Sequence, residues 1–328
     1  MAEHASRQES VNPDGQASAR GYYGLPVLKA PVWRWEVWSY FFLGGLAAGS
    51  FVVASLARIF GDKRDRLVSR VGYRISFAAV AFCPPLLIRD LGRPGRFLNM
   101  LRVLKPESPM SVGVWGLVGF SGCAALAALG DAFAGQRGAR GVVARLIPAR
   151  GIAAVGTVLA ILLGGYTGVL LSVTSVPLWS RGRLLGPAFL ASALASGLSA
   201  ITLALSIGTS ASESSIQTLD RLKLVTIAAE AATLAGFVGS SDRAARPLLD
   251  PQQYGRPFIA GALGLGLVIP ALAILTPSAR GRGSSLLASL CGLLGGVLLR
   301  YAVVEAGRAS AEDPEATFWH TDLPEGKA

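Results

Sequence analysis

Eight apolar runs, each long enough to cross a bilayer, govern what this sequence can fold into. A spanning helix needs about 20 predominantly apolar residues. The 328-residue sequence supplies such runs at 36–60, 73–89, 110–133, 150–173, 185–208, 217–239, 257–277 and 285–305. Lipid offers no hydrogen-bond partners, so each run has to satisfy its own backbone as a helix. The composition agrees, with 52% hydrophobic and 16% charged residues where a soluble domain carries about a quarter charged. The protein therefore reads as an all-α integral membrane protein with eight transmembrane helices. Pro84 and Pro85 interrupt the second run, which neighbouring helices can accommodate.

An even number of spans puts both ends on one side. Residues 1–32 form a polar tail without the apolar core of a signal peptide, and 307–328 form a second polar tail. The connection 174–184 separates 33–173 from 185–306, which predicts two four-helix bundles. No internal repeat is obvious. A net charge of +11 would suggest nucleic acid for a soluble protein. Here Lys and Arg sit between apolar runs, where they serve topology and membrane lipid, and no nucleic-acid partner is expected. The two sides carry nearly equal basic charge. The densest short stretch, Arg58 to Arg74, marks its side as cytoplasmic. The termini are then expected in the periplasm, across a bacterial inner (cytoplasmic) membrane.

Cys83, Cys123 and Cys291 are isolated from one another, whereas an iron–sulfur cluster needs about four thiolates. His4 and His320 lie outside every apolar run, so no pair of facing histidines exists to hold a b-type haem. The expectation is a protein with no haem, iron–sulfur cluster or metal. Any electrons it handles must come from a diffusible carrier or a partner.

Polar residues gather in three clusters on the side of the termini. The first is Pro31-Val-Trp33-Arg34-Trp35-Glu36, entering helix 1. The second is Ile88-Arg89-Asp90-Leu-Gly92-Arg93-Pro94-Gly-Arg96-Phe-Leu-Asn99, leaving helix 2. The third is Gly165-Tyr166-Thr167-Gly168, late in helix 4, with Pro177-Leu-Trp179 beyond it. Helices 1, 2 and 4 can therefore converge on one polar pocket near a membrane surface. Plainer roles compete: tryptophans in an interfacial belt, arginines as headgroup anchors, and Gly44, Gly45 and Gly49 as close helix packing. Asp90 is expected to pair with an arginine, since an unpaired charge at that depth is costly.

The second half carries Glu230 in mid-helix, Asp220, Arg221 and Lys223 near that helix's start, and Arg300 and Glu305 late in helix 8. A charge at the bilayer centre costs roughly 2.5–3.5 kcal/mol even on low estimates. Glu230 is therefore paired, protonated or facing water. Asp220, Lys223, Glu230, Arg300 and Glu305 are the candidates for a proton path, against a purely structural Glu–Arg pair.

Several of these stretches resemble the polysulfide reductase membrane-subunit family (NrfD/PsrC). They are Tyr23-Gly-Leu-Pro-Val-Leu-Lys29 with Tyr40-Phe-Phe-Leu-Gly-Gly-Leu-Ala-Ala-Gly-Ser50; Asp90-Leu-Gly-Arg-Pro-Gly-Arg-Phe-Leu-Asn-Met-Leu-Arg-Val103; Lys105-Pro-Glu-Ser-Pro-Met-Ser111 with Trp115; Tyr166-Thr-Gly168; Pro177-Leu-Trp179; and Leu299-Arg-Tyr-Ala-Val-Val-Glu-Ala-Gly307. The likeness is dense over 21–180 and sparser to 307. It implies a haem-free subunit of a respiratory oxidoreductase that exchanges electrons with menaquinone or ubiquinone. It also implies a four-cluster ferredoxin-like iron–sulfur partner and a molybdopterin or cytochrome c subunit beyond it. By the same resemblance Tyr166 is the headgroup donor, with Glu36, Asp90, Arg89, Thr167 and Trp35 as the remaining quinone-site candidates. Trp33, Arg34, Arg93, Arg96 and Lys105 are the candidates for the partner surface. Without the resemblance, a multi-spanning transporter or a pure membrane anchor would account for the same helices. Neighbouring genes and co-purified quinone separate the three.

Overall fold

The computed structural model describes residues 33–62, 65–92, 97–134, 147–208, 212–276 and 281–313, with residues 28, 31, 95, 136, 138, 140 and 141 between them. Among the described residues there are eight helices of spanning length and hydropathy: α1 Trp35–Phe60, α2 Arg66–Asp90, α3 Pro109–Phe133, α4 Ala149–Ser172, α5 Leu185–Ile207, α6 Glu213–Ser241, α7 Arg256–Leu275 and α8 Arg282–Glu312. Each lies over one of the predicted runs. Two ends differ by seven residues: α8 runs on to Glu312, past its expected end at 305 and into the tail expected from 307, and α2 starts at Arg66 rather than at 73. Its first two turns expose Arg66, Arg70 and Arg74 on one face, so the helix outlasts its apolar stretch. As the prolines require, α2 is broken at Phe82 into Arg66–Ala81 and Cys83–Asp90.

Alternation of direction places the start of α1, the ends of α2 and α4 and the end of α8 on one face, the terminal face. Each half pairs its helices in the same order. α1 packs on α2 and α4 while α3 packs on α4 and α2; α5 packs on α6 and α8 while α7 packs on α8. The halves are nevertheless not separate cores. α5 packs as extensively on α1 as on α6, and one cluster of buried apolar side chains runs from Val37 to Ala311. Nor is the connection between the halves a loose loop. It forms a short helix, Pro177–Arg181. Its Trp179 is fully buried and donates Nε1–H to the carbonyl of Val303 at 2.9 Å.

Glycine sets the distance between α1 and α5. A Cβ added at Gly49 would run into the backbone carbonyl of Ala193, and one added at Gly197 into the Gly49 backbone. Close backbone approach through small residues is how helices associate where lipid removes the hydrophobic drive. Gly49→Leu should therefore push the halves apart and destabilise by about 1–3 kcal/mol, the usual cost of overpacking. Thermal unfolding in detergent reads this as a lowered midpoint and reduced membrane yield. An unchanged midpoint would mean that the two backbones do not touch.

Candidate functional site

A cleft of about 100 Å³ opens at the terminal face between α1, α2, α3 and α4. Its walls are apolar: Val37 and Phe41 from α1, Leu87 from α2, Val114 from α3 and Leu170 from α4. Three polar groups reach it, Tyr40, Asp90 and Tyr166. Pockets that bury a drug-sized ligand run to ~300–1,000 Å³, so this one takes about a single ring and leaves any tail outside. Tyr40 is buried, while Asp90 is exposed at the rim.

Tyr166 is set by α3. A Cβ on Gly113 would overlap the Tyr166 ring, so the glycine is what lets the ring lie across α3. The Tyr166 hydroxyl donates to the Pro109 carbonyl at 2.5 Å. Pro109 opens α3 behind Ser108, whose Oγ accepts from the Ser111 N–H at 3.5 Å. An acceptor entering the cleft has to replace Pro109 as the partner of that hydroxyl.

Beside the cleft stands an ion pair rather than more lining. Arg89 Nε donates to Glu36 Oε1 at 3.1 Å, and its guanidinium lies 5.3 Å from the centre of the Trp35 ring. Glu36 is buried and its Oε2 has no partner among the described residues. Arg89 thus pairs with Glu36 rather than with its neighbour Asp90. Trp33 is half-buried, stacked on Trp179 at 5.2 Å and edge-on to Phe41. Much of its surface therefore meets its own chain, although it still reaches the cleft. Thr167 is buried in the core of α4 and does not line the cleft. Arg34 and Lys105 are exposed on this face. Arg93 and Arg96 lie outside the described residues.

The charges of the second half fall into three groups. Near the face opposite the termini, Lys223 Nζ donates to Asp220 Oδ1 at 3.2 Å and to Ser289 Oγ at 3.0 Å. Ser285 donates to Asp220 Oδ2 at 2.6 Å. Lys223 is fully buried, yet Asp220 and Ser285 border a hollow of about 220 Å³ open to that face. Deeper in, Glu230 faces Ser192 and Arg300. Arg300 is fully buried and donates to Ser192 Oγ and, at 3.2 Å each, to the carbonyls of Gly296 and Phe189. Glu305 belongs to neither group and accepts from Arg308 at 2.9 Å.

These features match known proteins along most of the sequence. Residues 27–311 fit the family described as Polysulphide reductase, NrfD. The protein belongs to that family. The C subunit of polysulfide reductase from Wolinella succinogenes is 30% identical over 301 residues, covering 84% of this protein and 94% of the relative. Protein NrfD of Escherichia coli strain K12 is 30% identical over 306 residues, covering 84% of this protein and 95% of the relative.

This NrfD-family member is accordingly a multi-pass membrane protein of a reductase family. The sequence marks Tyr166 and Asp90, and both line the cleft. It does not single out Tyr40 or Gly113. A lone tyrosine hydroxyl in an apolar run is the available signal for the first. The second depends on a tyrosine 53 residues away, which no local pattern reveals. The Lys223–Asp220 pair is directly testable. Asp220→Ala should cost about 3–5 kcal/mol by stranding a buried cation, whereas Asp220→Leu with Lys223→Met should recover most of that loss. Unfolding midpoints in detergent compare them, and equal midpoints for the single and double variants would mean the two charges are not coupled.

Proposed function

We propose that this protein is the haem-free quinone-reactive membrane subunit of a respiratory oxidoreductase, with the cleft at the terminal face as its headgroup site. The observation that carries the reading is the combination of a ring-sized apolar slot with a neutral donor, Tyr166, beside an exposed carboxylate, Asp90. A quinone carbonyl needs a donor at about 2.7–3.0 Å, and a phenol supplies one without placing a charge in the slot. Interconversion of quinone and quinol moves two electrons together with two protons. Asp90 at the rim and Glu36 behind it, with its free Oε2, are the carboxylates able to exchange those protons with water. A site of this size takes the benzoquinone ring of ubiquinone whole, whereas menaquinone would place its quinonoid ring in the slot with the fused benzo ring at the mouth.

The electrons need a partner, since the sequence holds no ligand set for an iron–sulfur cluster or haem. The reading assigns that role to a four-cluster ferredoxin-like iron–sulfur subunit, wired in turn to a molybdopterin or cytochrome c subunit. The relatives support the assembly in kind, one of them being by name one component of a polysulfide reductase. The docking face is the terminal face around the cleft, where Arg34, Val103, Leu104 and Lys105 are exposed. Backbone N–H of Lys105 bonds Ser111 Oγ at 3.0 Å, which holds this loop against α3. The opposite face, with Arg66, Arg70 and Arg74 exposed, is assigned to the cytoplasm by its basic charge, and the cleft to the periplasm.

Proton movement through the second half completes the proposal. The hollow at the opposite face leads to Asp220 and Lys223, and Ser289 continues toward α5. A Cβ on Gly292 would stand 2.7 Å from Ser199 Oγ, and one on Gly296 2.6 Å from Ser196 Oγ, so the α8 glycines leave room for serine hydroxyls between Lys223 and Arg300. Arg300 in turn lies against Gly45 of α1.

Tyr166→Phe should keep assembly and stability while quinol-linked turnover of the whole complex falls roughly tenfold or more, a barrier change of at least about 1.4 kcal/mol. Full turnover in that variant would remove Tyr166 from the site. Glu230→Gln keeps shape and hydrogen bonding but carries no proton. In sealed vesicles it should lower the protons moved per electron in an intact complex, and an unaltered ratio would reduce Glu230 to a structural partner of Arg300.

A further inference from the structure

Arg89 and Asp90 close α2 side by side in the sequence, yet they serve different places. Arg89 reaches back to α1. Its Nε donates to Glu36 Oε1 at 3.1 Å, and its guanidinium lies 5.3 Å from the centre of the Trp35 ring. Asp90 lines the cleft together with Tyr40 and Tyr166. The cation next to Asp90 in the chain is therefore held on the other helix.

The pair is uneven. The Arg89 side chain is 68% exposed and that of Glu36 only 9%. Glu36 needs a partner because it is buried, and its Oε2 still has none among the described residues. An arginine mostly in water has little need of an anchor, since exposed charges gain little from pairing. What the pair fixes is where this cation stands. That position matters to Asp90. The charged groups facing the Asp90 carboxyl from α1 are Glu36 and Arg34, and Tyr40 and Tyr166 share its cleft. An opposite charge within about 4–6 Å holds a carboxylate in its charged form by about 1–3 pH units. A base held that firmly accepts a proton poorly.

The geometry points to Glu36 as a positioning residue for Asp90: by drawing the Arg89 guanidinium onto α1, it leaves the Asp90 carboxylate free to take a proton from quinol. The inference rests on the quinone reading of the cleft. In that reaction quinol gives two electrons to the iron–sulfur partner and two protons, in turn, to the carboxylate. Asp90 passes each proton to water at the rim.

The test follows quinol-linked turnover of the full complex across the pH range in which it stays folded. Turnover of the native complex should fall on the acid side as Asp90 becomes protonated, and Asp90→Asn should remove that limb with most of the rate. Glu36→Leu releases Arg89 and leaves no buried charge behind. Its acid limb should move to lower pH by about one unit. Its rate above the limb should fall several-fold, because a weaker base accepts more slowly. Glu36→Gln keeps an acceptor for Arg89 without the charge, and should move the limb in the same direction by less. Adding Arg89→Gln to Glu36→Leu takes the cation away again, so limb and rate should return to their native values. A limb that stays in place in both Glu36 variants would overturn the inference. So would a double variant no better than Glu36→Leu, which would make Glu36 itself the proton acceptor or a purely structural group. A native complex that turns over no quinol would overturn the quinone reading and this inference with it, before any variant is made.

Discussion

The contact on which the rest of this structure depends is the meeting of two backbones, α1 at Gly49 and α5 at Gly197 and Ala193. In water, burying apolar surface would hold two helical halves together. In lipid that drive is absent, because the tails are as apolar as leucine, and association relies on dispersion at close range and on polar contacts. Gly49 and Gly197 supply the first by letting main chains touch. Arg300 supplies the second. It reaches from α8 to Ser192 and the Phe189 carbonyl on α5 and lies against Gly45 on α1. The buried Arg300 is tied to that seam, and α1, one side of it, also walls the cleft.

Charge inside the molecule follows the same economy. Arg58 bonds Asp131 at 2.8 Å between the ends of α1 and α3, Lys223 bonds Asp220, and Arg89 bonds Glu36. Each pair gives a partner to a buried charge, Asp131, Lys223 or Glu36, that would be costly alone. What the pairs leave over is also informative. Glu36 Oε2, Asp131 Oδ2 and the hydroxyls of Ser50 and Ser76 have no partner among the described residues, in an interior where unsatisfied polar groups are the exception. Asp131 and Ser69 belong to the same neighbourhood as the Ser55–Tyr73 hydrogen bond of 3.2 Å and the Arg58–Asp131 pair. The first half therefore has a polar interior of its own, which hydropathy alone conceals.

The spans were legible because hydropathy is a local property and lipid enforces it, so eight runs became eight helices with small shifts at their ends. The shift at α2 arose because Arg66, Arg70 and Arg74 lower the average without breaking the helix. Relations between helices were less legible. Tyr166 and Asp90 were expected together and both line the cleft, since both fall at helix ends on one face. Thr167 was grouped with Tyr166 by adjacency, yet one residue is about 100° around a helix, and its side chain is buried in the core. Trp179 was read from a loop and is instead fully buried against Gly307. The Arg58–Asp131 pair joins residues 73 apart, and nothing in either local sequence points to the other.

The hydrogen bond from Tyr166 to the Pro109 carbonyl bears on how the cleft behaves in time. A donor already bonded to a carbonyl has no unmet hydrogen bond for a ligand to relieve. A ligand gains only the difference between its own acceptor and a peptide carbonyl, typically a fraction of the ~0.5–1.5 kcal/mol net worth of a hydrogen bond. That hydrogen bond therefore adds little to the hold on a ligand. Since affinity differences between related complexes are expressed chiefly in departure rates, loose holding means quick exchange. Under the proposed quinone reading, that weak bond suits a cleft that exchanges with the membrane pool rather than one that stores its ligand.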